Sequence, residues 1–541
     1  MENNRLNLPT GIQTFEEIRT MGYVYVDKTQ YLIDLLKTGQ KVNFLARPRR
    51  FGKSLTISTL DALFSGKREL FKGLYAEEYL NRPEFEPSPV IRLDMSKVIT
   101  NHGLVEIEET ITEQIRHNAD RLGVSFTDSK LSGLLFFRLI TNVSLKYSKR
   151  VVILIDEYDA PYTDFVNDPE MADKVRNLLR SLYVQIKAND EYIRFVFITG
   201  ISKFAKLGVF SALNNTTDIS LNPKFSEICG YTEEEIIRYF PDYLDETADY
   251  MKITTEELII KMRNFYNGFT FDRDCKTKFY NPFSTLSFFN EKEFDNFWIE
   301  TGKSKVIADY MKNRNLTVEQ FRRFPISKDF ARSPGDVDET TPEGFLYQCG
   351  YLTLRPGILG SYLSLDYPNT EVLNSMSKLL TKNIVTENDY NYFQGSLLAA
   401  IVSNDVENFI DSANYILSCI PYDDFTSAAK QSVKITGNKL TVQEWLYRSC
   451  IIAFLRASGI VTFAEVQTNV GRSDIVLTHQ GHIWLIEIKV AAKGEDAKKK
   501  AEEAYLQIDK NYANAYPEAI CVGLAIEDEK RQITEYRAKN L

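Results

Sequence analysis

The segment "KVNFLARPRRFGKSLTISTLDALFSG", residues 41–66, constrains this chain more than any other. An apolar run, a basic turn closed by Gly-Lys-Ser and a helix-periodic stretch stopping at Gly66 read as strand, loop and helix N-terminus. In a G-x-x-x-x-G-K-[ST] loop, backbone N–H groups surround phosphates, the lysine reaches the outer ones and the hydroxyl holds Mg²⁺. A helix N-terminus adds amides and a dipole that favour the same anion. Gly52, Lys53 and Ser54 fit the pattern, but Arg47 stands where the first glycine belongs. On spacing alone the segment reads equally well as a phosphate loop and as a basic surface turn.

A second stretch favours the phosphate loop. "VVILIDEYDAP", 151–161, carries five consecutive aliphatic residues before Asp156 and Glu157. Such a run suits a strand covered on both faces of a parallel sheet. An acid at the end of that strand suits Mg²⁺, and an adjacent glutamate suits a general base that orients water. Tyr158 and Asp159 read first as a turn or helix cap. A third strand, "IRFVFITG" at 193–200, ends in Thr199, placed to meet a terminal phosphate or the attacking water. Ligands of open α/β sheets bind outside the carboxyl ends of strands, and three apolar strands with polar ends match that rule.

"RPRRFGKSL" (47–55), "IDEYDAP" (155–161), "ITGISKFAKLGVFSALNNTTDIS" (198–220), "GYTEEEI" (230–236), "FYNGFTF" (265–271) and "YNPFS" (280–284) carry a resemblance. With them the chain resembles the bacterial AAA-like ATPases fused to a C-terminal PD-(D/E)XK nuclease domain. In that family arginine-rich text replaces the first glycine of the loop. The resemblance implies ATP as ligand, with Arg49, Arg50, Gly52, Lys53, Ser54 and Thr199 at the nucleotide, Ser54 and Asp156 at Mg²⁺, and Glu157 as catalytic base. It also implies that "GYVYVDKTQYLIDLLKTG", 22–39, borders the adenine.

The remainder of the chain sets limits. At 541 residues, with 44% hydrophobic and 26% charged, several folded domains are expected. The net charge of −9 argues against a general basic coat, so any nucleic-acid contact is a local patch. The six cysteines and four histidines form no ligand cluster, which disfavours zinc and a disulfide framework. No apolar run approaches the roughly 20 residues of a membrane span, and the start lacks the apolar core of a signal peptide. A cytoplasmic chain with no membrane partner is the plain expectation, and a homo-oligomer stays open.

Along the chain, residues 1–225 alternate short aliphatic strands with helical stretches and predict a P-loop AAA-like core with a parallel sheet. Residues 226–335 turn helical and aromatic, a lid whose aromatic stripe reads as core. Residues 336–435 read as a helical connector; within it "YLTLRPGILGSYLSL" forms a hairpin after a helix, the pattern of a winged-helix element, with one positive charge to offer DNA. Residues 436–541 predict a restriction-endonuclease-like α/β domain.

That last region holds a second constellation. Asp474 opens one strand and Glu487-Ile488-Lys489 ends the next. Residues two apart in a strand share a face, so Glu487 and Lys489 point together while Ile488 points into the core. PD-(D/E)XK nucleases place an acid and E-x-K on neighbouring strands of a small mixed sheet. Hard carboxylate oxygens suit Mg²⁺ or Mn²⁺, and a lysine suits the orientation of water or the charge growing on phosphate. Glu465 is a further acid, and Gln507 with Tyr512 matches the family's Q-I-x-x-x-Y pattern. The expectation is an ATPase whose nucleotide state governs a metal-dependent nuclease acting on DNA or RNA. Its rivals are a scaffold ATPase whose C-terminal domain binds nucleic acid or protein without cutting, and a nucleotide-independent nuclease with a degenerate loop.

Overall fold

The computed structural model describes residues 5–101, 103–127, 129–165, 168–201, 216–298, 318–327, 330, 341–357, 363–384, 387–419, 439–467, 472–512 and 516–539. It divides into two compact units, Met1–Trp298 with Arg323–Glu371, and Ile299–Arg322 with Val372–Leu541. The helices within 233–291 and the helix and hairpin of 342–366 therefore both belong to the first unit.

The first unit is built on five strands: β1 (Val42–Ala46), β2 (Val90–Asp94), β3 (Val151–Asp156), β4 (Ile193–Gly200) and β5 (Thr216–Asp218). They run in the order β2-β3-β4-β1-β5, every pair parallel. The aliphatic text of β3 is buried at every position, as a strand covered on both faces requires. Helices Lys53–Phe64 and Ser132–Tyr147 supply part of that cover, and helix Pro169–Ala188, packed on the latter, buries Val175, Leu179, Leu182 and Ile186 along one face. The chain leaves β1 for the far edge at β2 but leaves β4 for β5 on the other side of β1. The crevice at the carboxyl ends of β1 and β4 is thus the topological switch point, and helix Lys53–Phe64 follows β1 there.

Among the described residues four helices follow: Glu233–Tyr239, Pro241–Met251, Thr255–Tyr266 and Pro282–Glu291. The first and third begin in capping boxes, Thr232 with Glu235 and Thr254 with Glu257, which satisfy backbone donors reciprocally. The aromatic stripe is core, with Phe240, Tyr266, Phe288 and Phe289 packed with Val24 and Val26. Helix Pro342–Cys349 leads into the expected hairpin, β7 (Thr353–Pro356) and β8 (Leu363–Asp366), whose connecting residues 358–362 lie outside the described residues. A further short strand, β6 (Phe324–Ile326), pairs with β8 to give an antiparallel sheet ordered β6-β8-β7.

The second unit contains a mixed sheet: β9 (Val461–Gln467), β10 (Arg472–His479), β11 (His482–Ala491), β12 (Ile520–Glu527) and β13 (Gln532–Lys539) in the order β13-β12-β11-β10-β9. β9, β10 and β11 form an antiparallel meander, and β12 returns parallel to β11 after helix Ala497–Tyr512. Trp484, Ile486, Ile488 and Val490 face one core with Phe409, Ile451 and Leu455. Leu485 and Val476 face the other, under Ile508. No apolar run announces β13 in the sequence. Its text "QITEYRAK" buries only Ile533 and exposes charges, the pattern of a protected edge that hides a strand from a search for apolar runs.

Candidate functional site

Arg47, in the place of the missing glycine, is 1% exposed. Its guanidinium donates to the carbonyls of Ala46 at 2.9 Å, Ser220 at 2.6 Å, and Phe225 and Ser226 at 3.3 Å each. It also lies 4.1 Å over the Phe271 ring. Burial pulls its pKa down to about 10, yet the carbonyls and ring keep the cation solvated. A glycine loop owes its shape to backbone freedom, whereas this one is braced by a side chain reaching to the segment beyond β5. Phe51 continues the brace, its ring 4.8 Å from Phe269 and 5.1 Å from Phe271.

The other loop contacts account for motifs that seemed remote in sequence. Gly230, at φ +85°, donates its N–H to Phe51 O at 3.1 Å, and a Cβ there would lie 3.1 Å from the Phe51 ring. Asn281 caps helix Pro282–Glu291 through its Oδ1 while its Nδ2 donates to Arg49 O at 3.2 Å. Arg50 sits at φ +65°, donates to Phe297 O at 2.6 Å and lies 3.7 Å over the Phe283 ring. It lines the site, but as a tie to the helical region as well as a positive charge. Gly52 caps helix Lys53–Phe64 in the left-handed region at φ 92°, where a side chain would be strained.

Arg49, Arg50, Phe51, Gly52 and Gly230 border a cavity of about 380 Å³ that also meets Glu157, Tyr25, Lys28, Tyr231 and Leu286. Lys53 is 3% exposed and its Nζ donates to Arg47 O and Pro48 O, both at 3.1 Å. Ser54 follows it on the cavity wall. Asp156 ends β3 and accepts from the Thr199 hydroxyl at 2.6 Å and from Glu157 N at 3.1 Å, both on Oδ1. Thr199 is wholly buried, so its hydroxyl orients Asp156, a job the sequence did not suggest. Glu157 adopts φ 46°, an unfavourable conformation for a side chain and one that concentrates at functional sites. Burial holds its carboxyl above the usual range, while Lys53 pulls the other way. Asp159 is buried and accepts from Ile201 N at 3.3 Å, with Tyr158 packed on Phe44 and beside Gly200, so both serve the fold.

The second constellation assembles at β10 and β11. Ile475 pairs with Ile486, which sets Asp474 against Glu487 in the antiparallel ladder, and Asp474 N donates to Glu487 Oε2 at 3.1 Å. Asp474 Oδ2 accepts from Ile488 N at 3.0 Å. Glu487 is 2% exposed; Lys489 Nζ stands 3.6 Å from its Oε1, which also accepts from Gln507 Nε2. Burial first and the Asp474 charge second push the Glu487 carboxyl above the usual range. Gln507 arrives because Gly523, opposite Glu487 on β12, lets helix Ala497–Tyr512 come close: a Cβ there would lie 2.4 Å from Tyr505 N. The side chains of Glu465 and Tyr512 lie outside the described residues.

Sequence reasoning missed Arg448 and Glu444, one turn apart on helix Lys439–Ala457. Arg448 donates to Asp474 Oδ1 at 2.7 Å, and Glu444 accepts from Val490 N at 3.3 Å. Their i, i+4 spacing on one helix face was the available signal, and nothing in the text tied that face to Asp474.

Among the described residues no group of three or more His, Cys, Asp and Glu is arranged around a metal position. Two hard carboxylates opposed across one ladder still suit Mg²⁺ or Mn²⁺, since Mg²⁺ keeps several waters and takes one or two carboxylates plus substrate phosphate. At the loop, Ser54 and Asp156 offer the same kind of oxygen donors.

Comparison with known proteins agrees with both halves. A family model described as predicted AAA-ATPase matches residues 9–210, and one described as PD-(D/E)XK nuclease superfamily matches 442–536. The chain is 32% identical over 520 residues to an uncharacterized protein in the vnfD 5' region of Azotobacter chroococcum mcd 1, covering 95% of this chain and 94% of that one. The chain belongs to this family of AAA-ATPase-like proteins with a C-terminal PD-(D/E)XK nuclease domain. Solved structures also align: Cdc6p from Pyrobaculum aerophilum, at 11% identity over 65% of this chain and 92% of its own, and the Aeropyrum pernix Orc1 protein in complex with DNA, at 13% over 65% and 91%. Their TM-scores are both 0.24. Among the described residues no helix is long and apolar enough to cross a membrane.

Proposed function

We propose that the chain binds and hydrolyses ATP at the 47–54 loop, and that its C-terminal domain is a metal-dependent phosphodiesterase acting on nucleic acid under control of the nucleotide state. The observation that carries the first half is the loop itself, whose lysine donates to backbone carbonyls that a phosphate can replace. Lys53 would turn from Arg47 O and Pro48 O to the outer phosphates, with the N–H groups opening helix Lys53–Phe64 receiving the same charge. Glu157 would take a proton from the attacking water, and its burial raises its basicity for that step. Thr199 holds Asp156 in one rotamer, so that Asp156 and Ser54 would take Mg²⁺.

At the second site Asp474 and Glu487 would hold Mg²⁺ or Mn²⁺. When bound, the cation polarises the scissile phosphate and lowers the pKa of water beside it. Lys489 stands where a cation can steady that water or the charge growing on phosphate. Gln507 and Asp474 N fix Glu487, and Ile488 N fixes Asp474, so each acid of the pair is held in one orientation.

Purified protein incubated with plasmid, linear and single-stranded nucleic acid, with and without ATP and Mg²⁺, tests the whole reading. Lys53→Ala is expected to lose ATP binding in calorimetry, and Asp474→Ala to lose cleavage while keeping ATP hydrolysis. Hydrolysis with no cleavage of any substrate, in parent and Asp474→Ala alike, would instead support a scaffold ATPase. Equal cleavage in parent and Glu157→Gln would remove the nucleotide control and leave the nuclease.

A further inference from the structure

The geometry points to Arg448 as the resident counter-ion of the carboxylate pair: its guanidinium holds the oxygen of Asp474 that a divalent cation takes, and must release it for the cation to bind. This inference rests on reading Asp474 and Glu487 as a metal site. Helix Lys439–Ala457 is fastened to the sheet at several points besides Arg448. Gln443 Nε2 donates to Asp528 Oδ2 at 2.6 Å, and Glu444 Oε1 accepts from Val490 N at 3.3 Å. The helix therefore has anchors that do not depend on Arg448, and the arginine can swing without carrying the helix away.

The two oxygens of Asp474 differ. Oδ2 accepts the N–H of Ile488, a backbone group fixed by the strand, whereas Oδ1 accepts from Arg448 at 2.7 Å, a long side chain with several rotamers. Oδ1 is thus the oxygen whose partner is exchangeable. The side chains of Arg448 and Asp474 are only 14% and 18% exposed, so water screens the pair poorly. With Lys489 3.6 Å from Glu487 Oε1, two cationic side chains among the described residues stand against the two acids. A divalent ion entering that space meets a like charge at Arg448, and the repulsion is relieved when the guanidinium leaves. Arg448 is therefore a positioning residue that sets cation affinity, and the cation binds by exchange with it.

The test is a titration of nucleotide-free, full-length protein with Mn²⁺, followed by calorimetry and by the rise in unfolding temperature. Arg448→Gln is expected to bind Mn²⁺ about tenfold more tightly than the parent, the factor that corresponds to about 1.4 kcal/mol. Arg448→Lys, which keeps the charge, is expected to stay near the parent, and Asp474→Asn to lose the binding. Arg448→Met, which keeps the apolar stem, gives the same readout if the glutamine variant fails to unfold cooperatively in EDTA. Binding unchanged or weakened in Arg448→Gln and Arg448→Met, with Asp474→Asn still losing it, overturns the exchange and spares the metal site. Parent-like binding in Asp474→Asn overturns the metal-site reading itself.

Discussion

The two candidate sites handle buried charge in opposite ways. At the loop, Arg47 and Lys53 rest on neutral backbone carbonyls, four for the arginine and two for the lysine. At the sheet of the second unit, Asp474 and Glu487 rest on charged side chains, Arg448 and Lys489. A cation held by carbonyls keeps its net charge available to an incoming anion, so phosphate binding needs little more than a turn of Lys53. Acids already neutralised by cations have little net charge left, so a metal must displace a partner of its own sign. The first site is poised to bind and the second is restrained.

Glu157 tests the poised site with the largest expected effect. Glu157→Gln should lower ATP hydrolysis by about 10²–10⁴-fold, the range for a positioned general base, while calorimetry finds ATP binding close to the parent. Retained hydrolysis would move the base elsewhere and leave the strained φ of Glu157 without a catalytic reason. Arg47→Gly, which writes the usual glycine back into the loop, sharpens the comparison further. It should destabilise the first unit by about 3 kcal/mol, because several buried carbonyls lose a charged donor. Chemical denaturation reads this directly, and a neutral or stabilising result would mean that the brace is dispensable.

On the restrained side, Gly523→Ala should cost about 2 kcal/mol through overpacking against the backbone of helix Ala497–Tyr512. By pushing Gln507 away from Glu487 it should also weaken Mn²⁺ binding while leaving ATP binding intact. A pH scan gives the smallest effect. Glu371 is fully buried, accepts from Trp298 N at 2.9 Å, and is pushed up to about 8 by burial, with Arg50 opposing. A folded-state pKa raised above the unfolded value of about 4.3 contributes stability that is complete below that value and is lost as pH rises toward 8. The unfolding temperature should accordingly decline across that window, and Glu371→Gln should flatten the decline. A variant with the parent's slope would place the titrating group elsewhere.

Much of both sites was legible in the text because their chemistry is local. Gly52, Lys53 and Ser54 are consecutive, Asp156 and Glu157 end an aliphatic run, and Glu487 and Lys489 alternate on one strand. The residues that were not legible act at long range. Thr199 bonds to Asp156 across adjacent carboxyl ends of β3 and β4, and Arg448 reaches Asp474 from a helix whose own text shows ordinary packing. β13 escaped notice because an edge strand is written in charges, and its existence depends on a neighbour to pair with.

The sequence by itself determined most element types, the parallel core and the residue types of both candidate sites, while the mixed C-terminal sheet came from the family resemblance. Hydrophobic period and strand-end polarity are properties of neighbouring residues, so they survive without a structure. Only the tertiary structure decided how a loop lacking its first glycine keeps its shape. Arg47 works through carbonyls of residues 220, 225 and 226, and Phe51 through rings at 269 and 271, partners about 170 to 220 positions away whose approach depends on the whole first unit. It likewise decided that Asp474 is paired with Arg448, since an ion pair depends on distance and burial, and neither is written in the order of residues.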